Sequence, residues 1–231
     1  MVSKIRIVSF ADGPFTPRKG PFKDQAKRID IFDDVLVYDM ATLPDDFVRQ
    51  HGEFIRNNQR GFGYWIWKPL IVLETLRSSA PDDVIFYADI GFTINPAGRR
   101  RMLEYAGLAE ASRHKMLSFS NTHTEYRWTK RDLAVRLHVD GNPTVMATTQ
   151  LAGGMFVLQP TRSNIELMEN WLSIATEENY HFSDDSPSIA DNDAYFIEHR
   201  HDASIGSLLR KIRGTEVTHS QGDLCNSINT Q

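Results

Sequence analysis

The sequence predicts an α/β fold with a mixed, mostly parallel central sheet that is flanked by helices. Short apolar runs that end on turn residues, as at residues 84–91, have the pattern of buried strands. These runs alternate along the chain with segments whose apolar residues recur at helical spacing. Strands that alternate with helices are typical of sheets whose parallel strands are joined by crossover helices.

The first half of the chain begins with a predicted strand at residues 4–10, where polar and apolar residues alternate. A loop with two glycines and two prolines follows at 11–20, then a short helix at 24–32 and a strand at 35–38. Pro44 and the two acids after it begin a helix that ends near Asn58, because proline and negative charge suit a first turn.

The second half begins with a helix that starts at Pro69 and precedes the apolar strand ending at Asp89. The later predicted elements are a helix at 96–106, a strand at 115–119, a helix at 129–138, a strand at 154–158, a helix at 161–176 and a mostly helical segment at 193–209 that is interrupted near His201. No internal repeat and no low-complexity linker divides the chain, so we predict one domain over residues 1–231.

Composition narrows the class of protein. The net charge of −4 gives no basic footprint for nucleic acid, and the run at residues 99–101 has the pattern of a solvated helix face. Cys225 is the only cysteine, so an intramolecular disulfide is excluded and a reducing compartment fits. Residues 1–10 lack the apolar core of a signal peptide, and no apolar run approaches the length of a membrane span. We expect a cytoplasmic protein, with peripheral membrane contact left open.

The segment at residues 60–69 carries two glycines, Lys68 and, within residues 64–67, three large aromatic side chains. The glycines allow close approach of the backbone, aromatic faces stack on sugars or bases, and Lys68 offers a point charge for a phosphate. The alternative is an aromatic wedge that closes the core, at least for one of Trp65 and Trp67. The segment is not a P-loop, because the Gly-Lys-Ser/Thr ending is missing.

Asp89 follows a buried strand, and open α/β sheets bind ligands beyond the carboxyl ends of their strands. A carboxylate there is able to hold Mg²⁺ or Mn²⁺ bound to a nucleotide diphosphate. It is equally able to accept hydrogen bonds from a ribose or sugar hydroxyl, and a plain turn cap is the alternative without function.

Two further segments carry candidate site residues. Gly153 and Gly154 lead into a predicted strand and suggest close approach of the backbone to a ligand, while Gln150 is suited to orient an acceptor hydroxyl. His199 and His201 are two positions apart, so on a helix they do not face one metal together. His201 without His199 is a candidate metal ligand in a pair with Asp89. Asp202 is a candidate general base. A plain turn and a structural histidine are the alternatives.

Three ordered pieces of the chain resemble a small bacterial-type glycosyltransferase of the Rossmann-like GT-A class. They are residues 60–69, similar to a Gly-Tyr-Trp-x-Trp-Lys-Pro segment; residues 87–91, in the place of the Asp-x-Asp motif; and residues 149–155 with 199–209, similar to the Gln-x-x-Gly and His-Asp-x-Ser-Ile segments. Gly91 replaces the second acid of Asp-x-Asp, which puts metal dependence in question.

The resemblance implies a nucleotide-sugar donor held by about residues 1–110 and an acceptor held by about residues 111–231. The implied donor contacts are Ser9, Phe10, Ala11, Trp67, Lys68, Asp89 and Gly91. The implied contacts with the sugar and the acceptor are Tyr64, Trp65, Gln150, Gly153 and Gly154. The implied catalytic residues are Asp89, His201 and Asp202, with Asp89 and His201 as ligands of a divalent Mn²⁺ or Mg²⁺.

The expected activity is transfer of a hexose from a nucleotide diphosphate sugar, a UDP-sugar first, to a hydroxyl of a glycan or lipid-linked acceptor. Such a reaction belongs to polysaccharide biosynthesis. Two alternatives stay open: a nucleotidyltransferase, and a non-catalytic sugar-binding protein on a degenerate transferase fold.

Overall fold

The computed structural model describes residues 3–218, so that Cys225 lies outside the described part of the chain. The strands are β1 Ile5–Phe10, β2 Asp34–Tyr38, β3 Val84–Ala88, β4 Met116–Thr124, β5 Thr149–Leu158 and β6 Glu216–Thr218. The α-helices are α1 Lys19–Ile29, α2 Asp45–Asn57, α3 Gly61–Tyr64, α4 Trp67–Arg77, α5 Arg99–Ala111, α6 Glu125–Trp128, α7 Arg131–Arg136, α8 Pro143–Met146, α9 Arg162–Thr176 and α10 Asp202–Arg213. Three short 3-10 helices lie at Gly13–Arg18, Pro96–Gly98 and Glu178–Tyr180.

The six strands form one sheet in the order β2-β1-β3-β5-β4-β6. The pairs β1–β2, β1–β3 and β4–β6 are parallel, whereas β5 runs antiparallel to both of its neighbours. Five of the strands therefore point the same way, and helices cover both faces of the sheet. The predicted fold class, a mixed and mostly parallel sheet flanked by helices, is confirmed.

The apolar strands separate two cores, one on each face of the sheet. Val8 and Tyr87 point towards the core that α4, α9 and α10 close, while Ile7 and Phe86 point towards the core of α1 and α5. Successive side chains of a strand alternate between faces, so strands buried on both sides must be apolar throughout. Every residue of β3 is buried, which explains why its pattern was the clearest strand signal in the sequence.

The structure corrects the predicted boundaries in two places that matter for the site. The strand predicted at 154–158 begins earlier: residues 149–153 are the first half of β5, where Thr149 and Leu151 pair with the bulged end of β4. The predicted helix at 193–200 is irregular, and α10 begins at Asp202. His201 has a φ of 53°, which an α-helix does not contain, so the helix starts only after it.

Two smaller corrections concern the boundary between the first loop and α1, and the presence of the last strand. The predicted loop at 11–20 contains a 3-10 helix, and α1 begins earlier than expected, at Lys19. Strand β6 was not predicted. Within residues 3–218, no helix has the length and apolar character needed to cross a bilayer.

Candidate functional site

The candidate site lies at the edge of the sheet where β1 and β3 end. Because β5 is antiparallel, its first half reaches the same edge, and the amide of Asp89 donates to the carbonyl of Gly154 (2.9 Å). The first turns of α4 and α10 pack behind this edge and bring Lys68 and Asp202 to it. The structure therefore brings together four residues that were predicted from separate motifs.

Lys68 is the centre of this cluster. Its Nζ lies 2.5 Å from Asp202 Oδ2 and 3.6 Å from Asp89 Oδ1, and it donates to the carbonyl oxygen of Gly153 at 3.1 Å. The side chain is only 3% exposed. An ammonium has three donor protons, and here three acceptors inside the protein surround it. The structure places the ammonium of Lys68 against two carboxylates, and its predicted role as a point charge for a phosphate stays a prediction.

Asp89 is the exposed member of the cluster, with 40% of its side chain accessible to solvent. Its Oδ1 accepts a hydrogen bond of 2.5 Å from the hydroxyl of Tyr87, which is wholly buried. Burial, followed by the charge of Asp89, raises the pKa of Tyr87 well above its ordinary value, so the phenol stays a donor. Asp89 is thus a carboxylate with a fixed orientation that faces solvent at the edge of the sheet.

The pKa values of the cluster reflect one ammonium shared by two carboxylates. Burial raises the pKa of Asp202 to about 6, because the charge of Asp89 adds to the effect and the Lys68 ammonium only partly opposes it. Burial by itself lowers the pKa of Lys68, but the charges of Asp202 and Asp89 outweigh it and the net shift is upward. Lys68 therefore stays charged, and Asp202 is the group that titrates near neutral pH.

We expect the stability of the protein to fall as pH rises through the range set by Asp202. The carboxyl has its ordinary pKa of 3.8 when unfolded and a pKa of about 6 when folded, so between these values only the folded state holds the proton. This contribution is fully present below 3.8 and is lost as pH rises through about 6. Urea unfolding across this pH range should show the decline in the wild type and lose that component in Asp202→Asn, while Asp24→Asn on α1 keeps it. Identical pH dependence in all three would refute the assignment.

The two glycines of β5 allow close contacts within the protein. A Cβ added to Gly153 would lie 2.7 Å from the Cβ of Ala203, and one added to Gly154 would lie 2.9 Å from Asp89 Oδ2. Real Cβ atoms do not approach so closely, so glycine at both positions lets α10 and Asp89 reach the strand. In the structure, Ala203 closely approaches the backbone of Gly153, and Asp89 closely approaches that of Gly154. Around Gly91, by contrast, a Cβ would meet open space.

The predicted nucleotide contacts at the end of β1 are buried. Phe10 stacks on Trp67 with ring centroids 4.0 Å apart, and the indole of Trp67 donates to the carbonyl of Gly61 (2.9 Å). Ser9 and Ala11 are completely inaccessible to solvent. The predicted donor contacts of these residues stay a prediction, and the packing of Trp67 fits the alternative of an aromatic wedge.

The aromatic segment, which includes the short element α3, forms a left-handed turn and not a regular α-helix. Gly61, Phe62, Gly63, Tyr64 and Trp65 all have positive φ values, between 52° and 79°. Left-handed conformation costs a residue other than glycine roughly 1–2 kcal/mol, and such strain persists only where the surroundings enforce it. The turn holds the rings of Tyr64 and Trp65 against the imidazole of His201, with centroids 4.9 and 5.8 Å away.

His201 is held in an unusual position, with a φ of 53° and a ψ of −128°. Its Nδ1 donates to the carbonyl of Ser183 (2.8 Å), while its buried Nε2 has no hydrogen-bond partner among residues 3–218. Nε2 lies 3.6 Å from Asp185 Oδ1, and the other oxygen of Asp185 accepts from the Tyr64 hydroxyl (2.9 Å). Burial lowers the pKa of His201, so the imidazole is neutral at pH 7.

Sequence reasoning missed Asp185, which belongs to an acidic stretch without regular spacing. Asp185 joins Arg60 (3.2 Å), Tyr64 and His201, and thereby connects the aromatic turn with the start of α10. His199 is structural, because its Nδ1 accepts from the amide of Lys130 and its Nε2 donates to the carbonyl of Phe182.

Gln150 lies inside a buried polar network instead of facing a ligand. Its amide nitrogen is within 3.2 Å of acceptors on Glu125, Thr129 and Ser204, and the residue is 1% exposed. Glu125 is fully buried and pairs with Lys211 at 2.8 Å. In the structure its hydrogen-bonding groups serve the packing of α6 and α10 on β5, and its predicted contact with an acceptor hydroxyl stays a prediction.

The predicted metal ligands Asp89 and His201 do not fit a metal ion held by the protein alone. Asp89 Oδ1 is occupied by Tyr87, and the Lys68 ammonium already supplies positive charge beside it. Nε2 of His201 faces Asp185. Over residues 3–218, no group of three or more His, Cys, Asp or Glu side chains is arranged to bind a metal.

Comparison with known proteins found structural similarity at low sequence identity. No protein-family model matches the chain, and no curated protein matches it. A search of solved structures found 35 matching chains. A glycosyltransferase involved in glycosylation of the major capsid of PBCV-1 has 13% identity and a TM-score of 0.40, over 76% of this chain and 68% of that one. Mouse xyloside xylosyltransferase 1 has 10% identity and a TM-score of 0.47, over 95% and 85%.

A third similar structure is described as an isomerase and not as a glycosyltransferase. Mannose-6-phosphate isomerase from Helicobacter pylori has 14% identity and a TM-score of 0.36, over 74% of this chain and 75% of that one. Because identity is between 10% and 14% in all three cases, we transfer no residue role from these proteins to this chain.

Proposed function

We propose that the chain is a GT-A-class glycosyltransferase that moves a hexose from a nucleotide diphosphate sugar, a UDP-sugar first, to a hydroxyl of a glycan or lipid-linked acceptor. The observation that carries this proposal is Asp89, a solvent-facing carboxylate fixed by Tyr87 and Lys68 where the parallel strands β1 and β3 end. Ligands of open α/β sheets bind beyond such strand ends. An oriented carboxylate there is suited to accept hydrogen bonds from ribose or sugar hydroxyls.

We assign a role to each residue of the cluster from the solvent exposure of its side chain. Asp89 contacts the donor, and we place the donor half at about residues 1–110 and the acceptor half at about residues 111–231 of a single domain. Asp202 is 4% exposed and paired with Lys68, so we assign it to holding the ammonium rather than to taking a proton from the acceptor. Lys68 in turn orients Asp89, and Gly153 and Gly154 allow the contacts of α10 and Asp89 with β5.

A second candidate function is sugar binding without catalysis on a degenerate transferase fold. It is favoured by one observation: Lys68, the cation beside Asp89, already forms ion pairs with two carboxylates of the protein and donates to the carbonyl of Gly153. Transfer requires that negative charge on the leaving diphosphate be stabilised, and a cation that is already paired contributes less to that. The nucleotidyltransferase alternative weakens for the same reason, because it needs a lysine that is free to meet phosphates.

A thermal-shift screen separates these candidates. Nucleotide diphosphates and their sugars are tested with the full chain, each with and without Mn²⁺ or Mg²⁺, and donor hydrolysis is followed in parallel. A ligand that binds only the folded state raises the melting temperature, and about 100 times its Kd stabilises by about 2.7 kcal/mol. A shift with one nucleotide-sugar family together with slow hydrolysis supports the transferase. A shift with free sugars alone supports the binding protein, and no shift with any nucleotide refutes the transferase.

Dependence of the shift on the cation reports whether a divalent metal arrives with the diphosphate. A shift that is equal with and without Mn²⁺ or Mg²⁺ would mean that Asp89 contacts the donor directly. A shift seen only with the cation would mean that the diphosphate supplies the missing ligands, as is common for Mg²⁺ bound by one or two carboxylates.

A further inference from the structure

A second concave site lies between α6, α7 and α8, outside the cluster at the sheet edge. It has a volume of about 400 Å³, and we call it the Tyr126 cleft. Tyr126, Ala134, Pro143 and Met146 form its apolar lining. Pockets of roughly 300–1,000 Å³ with a mostly apolar lining and a few polar groups are typical of small-molecule sites. The cleft is therefore large enough for one or two sugar rings.

Polar groups stand beside this apolar lining. Arg131 forms a bidentate contact with Asp140, through Nε (3.1 Å) and Nη2 (3.0 Å). Asn142 accepts from the amide of Thr144 with its oxygen, which leaves its Nδ2 without a partner among residues 3–218. Asp193 also lines the cleft, and its Oδ1 accepts from the amide of Tyr195 (2.9 Å). A lining with apolar groups and with planar donors and acceptors matches a pyranose, which has C–H faces and a rim of hydroxyls.

The wall of the cleft is formed in advance of any ligand. Arg131 Nη1 donates to the carbonyl of Asp191 (3.0 Å), and the amide of Arg131 donates to Asn192 (2.8 Å). Asp132 accepts from the amides of Ile189 (2.7 Å) and Ala190 (2.8 Å). These bonds tie the irregular segment after α9 to the first turn of α7, so little ordering is left to oppose binding.

The charge of the cleft selects against an anionic ligand. Its lining carries one cation, Arg131, and two carboxylates, Asp140 and Asp193, and the cation is already paired with Asp140. A diphosphate placed there would meet net negative charge. A neutral ligand rich in hydroxyls would instead donate to the carboxylates and accept from Asn142.

A buried chain of hydrogen bonds connects the cleft with the candidate site. Thr129 lines the cleft, and its hydroxyl lies 3.1 Å from the amide nitrogen of Gln150. The same nitrogen lies 3.2 Å from the hydroxyl of Ser204, in the first turn of α10 that begins with Asp202. We propose that the Tyr126 cleft binds a neutral carbohydrate and is the acceptor subsite. Its assignment to the acceptor rests on the proposed function.

Direct binding tests this proposal without any turnover. Neutral mono- and disaccharides, including glucose, galactose, mannose, xylose, lactose and maltose, are screened against the full chain by saturation-transfer NMR. We expect at least one to bind, with affinity reduced about tenfold or more in Tyr126→Ala and in Asp140→Asn, which equals about 1.4 kcal/mol. The matched controls Leu108→Ala and Asp24→Asn, on exposed faces of α5 and α1, should leave affinity unchanged.

The outcomes separate this inference from the proposed function. If no neutral sugar binds, or if a sugar binds equally to Tyr126→Ala and wild type, the cleft is not the subsite. If nucleotide sugars raise the melting temperature in that case, the transferase proposal stands without it. If sugars bind in the cleft but no nucleotide sugar binds the chain, the cleft is confirmed as a carbohydrate site and the transferase proposal fails. Retained melting temperature in both variants shows that lost binding is not lost folding.

Discussion

Asp89→Asn is expected to lower donor turnover by roughly 100-fold or more while the protein stays folded. Asparagine keeps the shape of the side chain and still accepts from the Tyr87 hydroxyl, but it removes the negative charge that faces solvent at the end of β3. The hydrogen bonds that a carboxylate accepts are about twice as strong as those of a neutral group. Donor hydrolysis kinetics and the thermal shift with the donor measure the two parts of this effect.

Asp82→Asn is the matched control, because Asp82 is an exposed acid just before the opposite end of the same strand. It should turn over the donor at the wild-type rate. Equal turnover and equal donor binding in Asp89→Asn and wild type would show that Asp89 has no part in the reaction. A loss of binding with an unchanged rate constant would place Asp89 in ground-state binding alone.

Lys68→Met is expected to lower the free energy of unfolding by about 3–5 kcal/mol at pH 7, because it removes one partner of a buried ion pair. Asp202 is 4% exposed, so without the ammonium that lies 2.5 Å away the folded protein must either hold an unpaired buried charge or take up a proton. Asp89 would lose the cation at 3.6 Å, although its exposure to water reduces that part of the cost. Urea unfolding measures the change.

Two further variants make this prediction specific. Lys27→Met, on the exposed face of α1, should unfold like the wild type. The double variant Lys68→Met/Asp202→Leu should regain most of the lost stability, because it also removes the unpaired charge. The deficit of Lys68→Met should shrink as pH falls, since a protonated Asp202 needs no cation. A deficit that is small, or that is the same at every pH, would contradict a charged buried pair.

The sequence was most informative where one local pattern has only one structural solution. The apolar run of β3 is buried on both faces, and a strand of that kind has to lie inside a sheet. Asp89 then follows from the position of the strand end. The helix predicted at 161–176 is likewise present as α9, and the side chain of Thr161 caps it by accepting from the amide of Asn164. These features depend on neighbours along the chain.

The sequence did not show which protein groups surround a polar residue when those groups lie far along the chain. Gln150 was expected to meet an acceptor, but Glu125 and Ser204 surround its amide. Lys68 was expected to meet a phosphate, but the fold of α10 places Asp202 against it. The same residue type occurs in protein interiors and in ligand sites. Its burial in the folded protein decides whether its partners are protein groups or a ligand.

The sequence by itself determined the α/β class, the buried strands and the strand end at which Asp89 stands. Only the tertiary structure decided that β5 runs antiparallel, that Lys68 is shared by two buried or half-buried carboxylates, and that Asp185 faces the unpartnered nitrogen of His201. The physical reason is one of range. Hydrophobic periodicity and capping act between residues a few positions apart, whereas ion pairing and desolvation depend on distances that the chain sets only once it has folded.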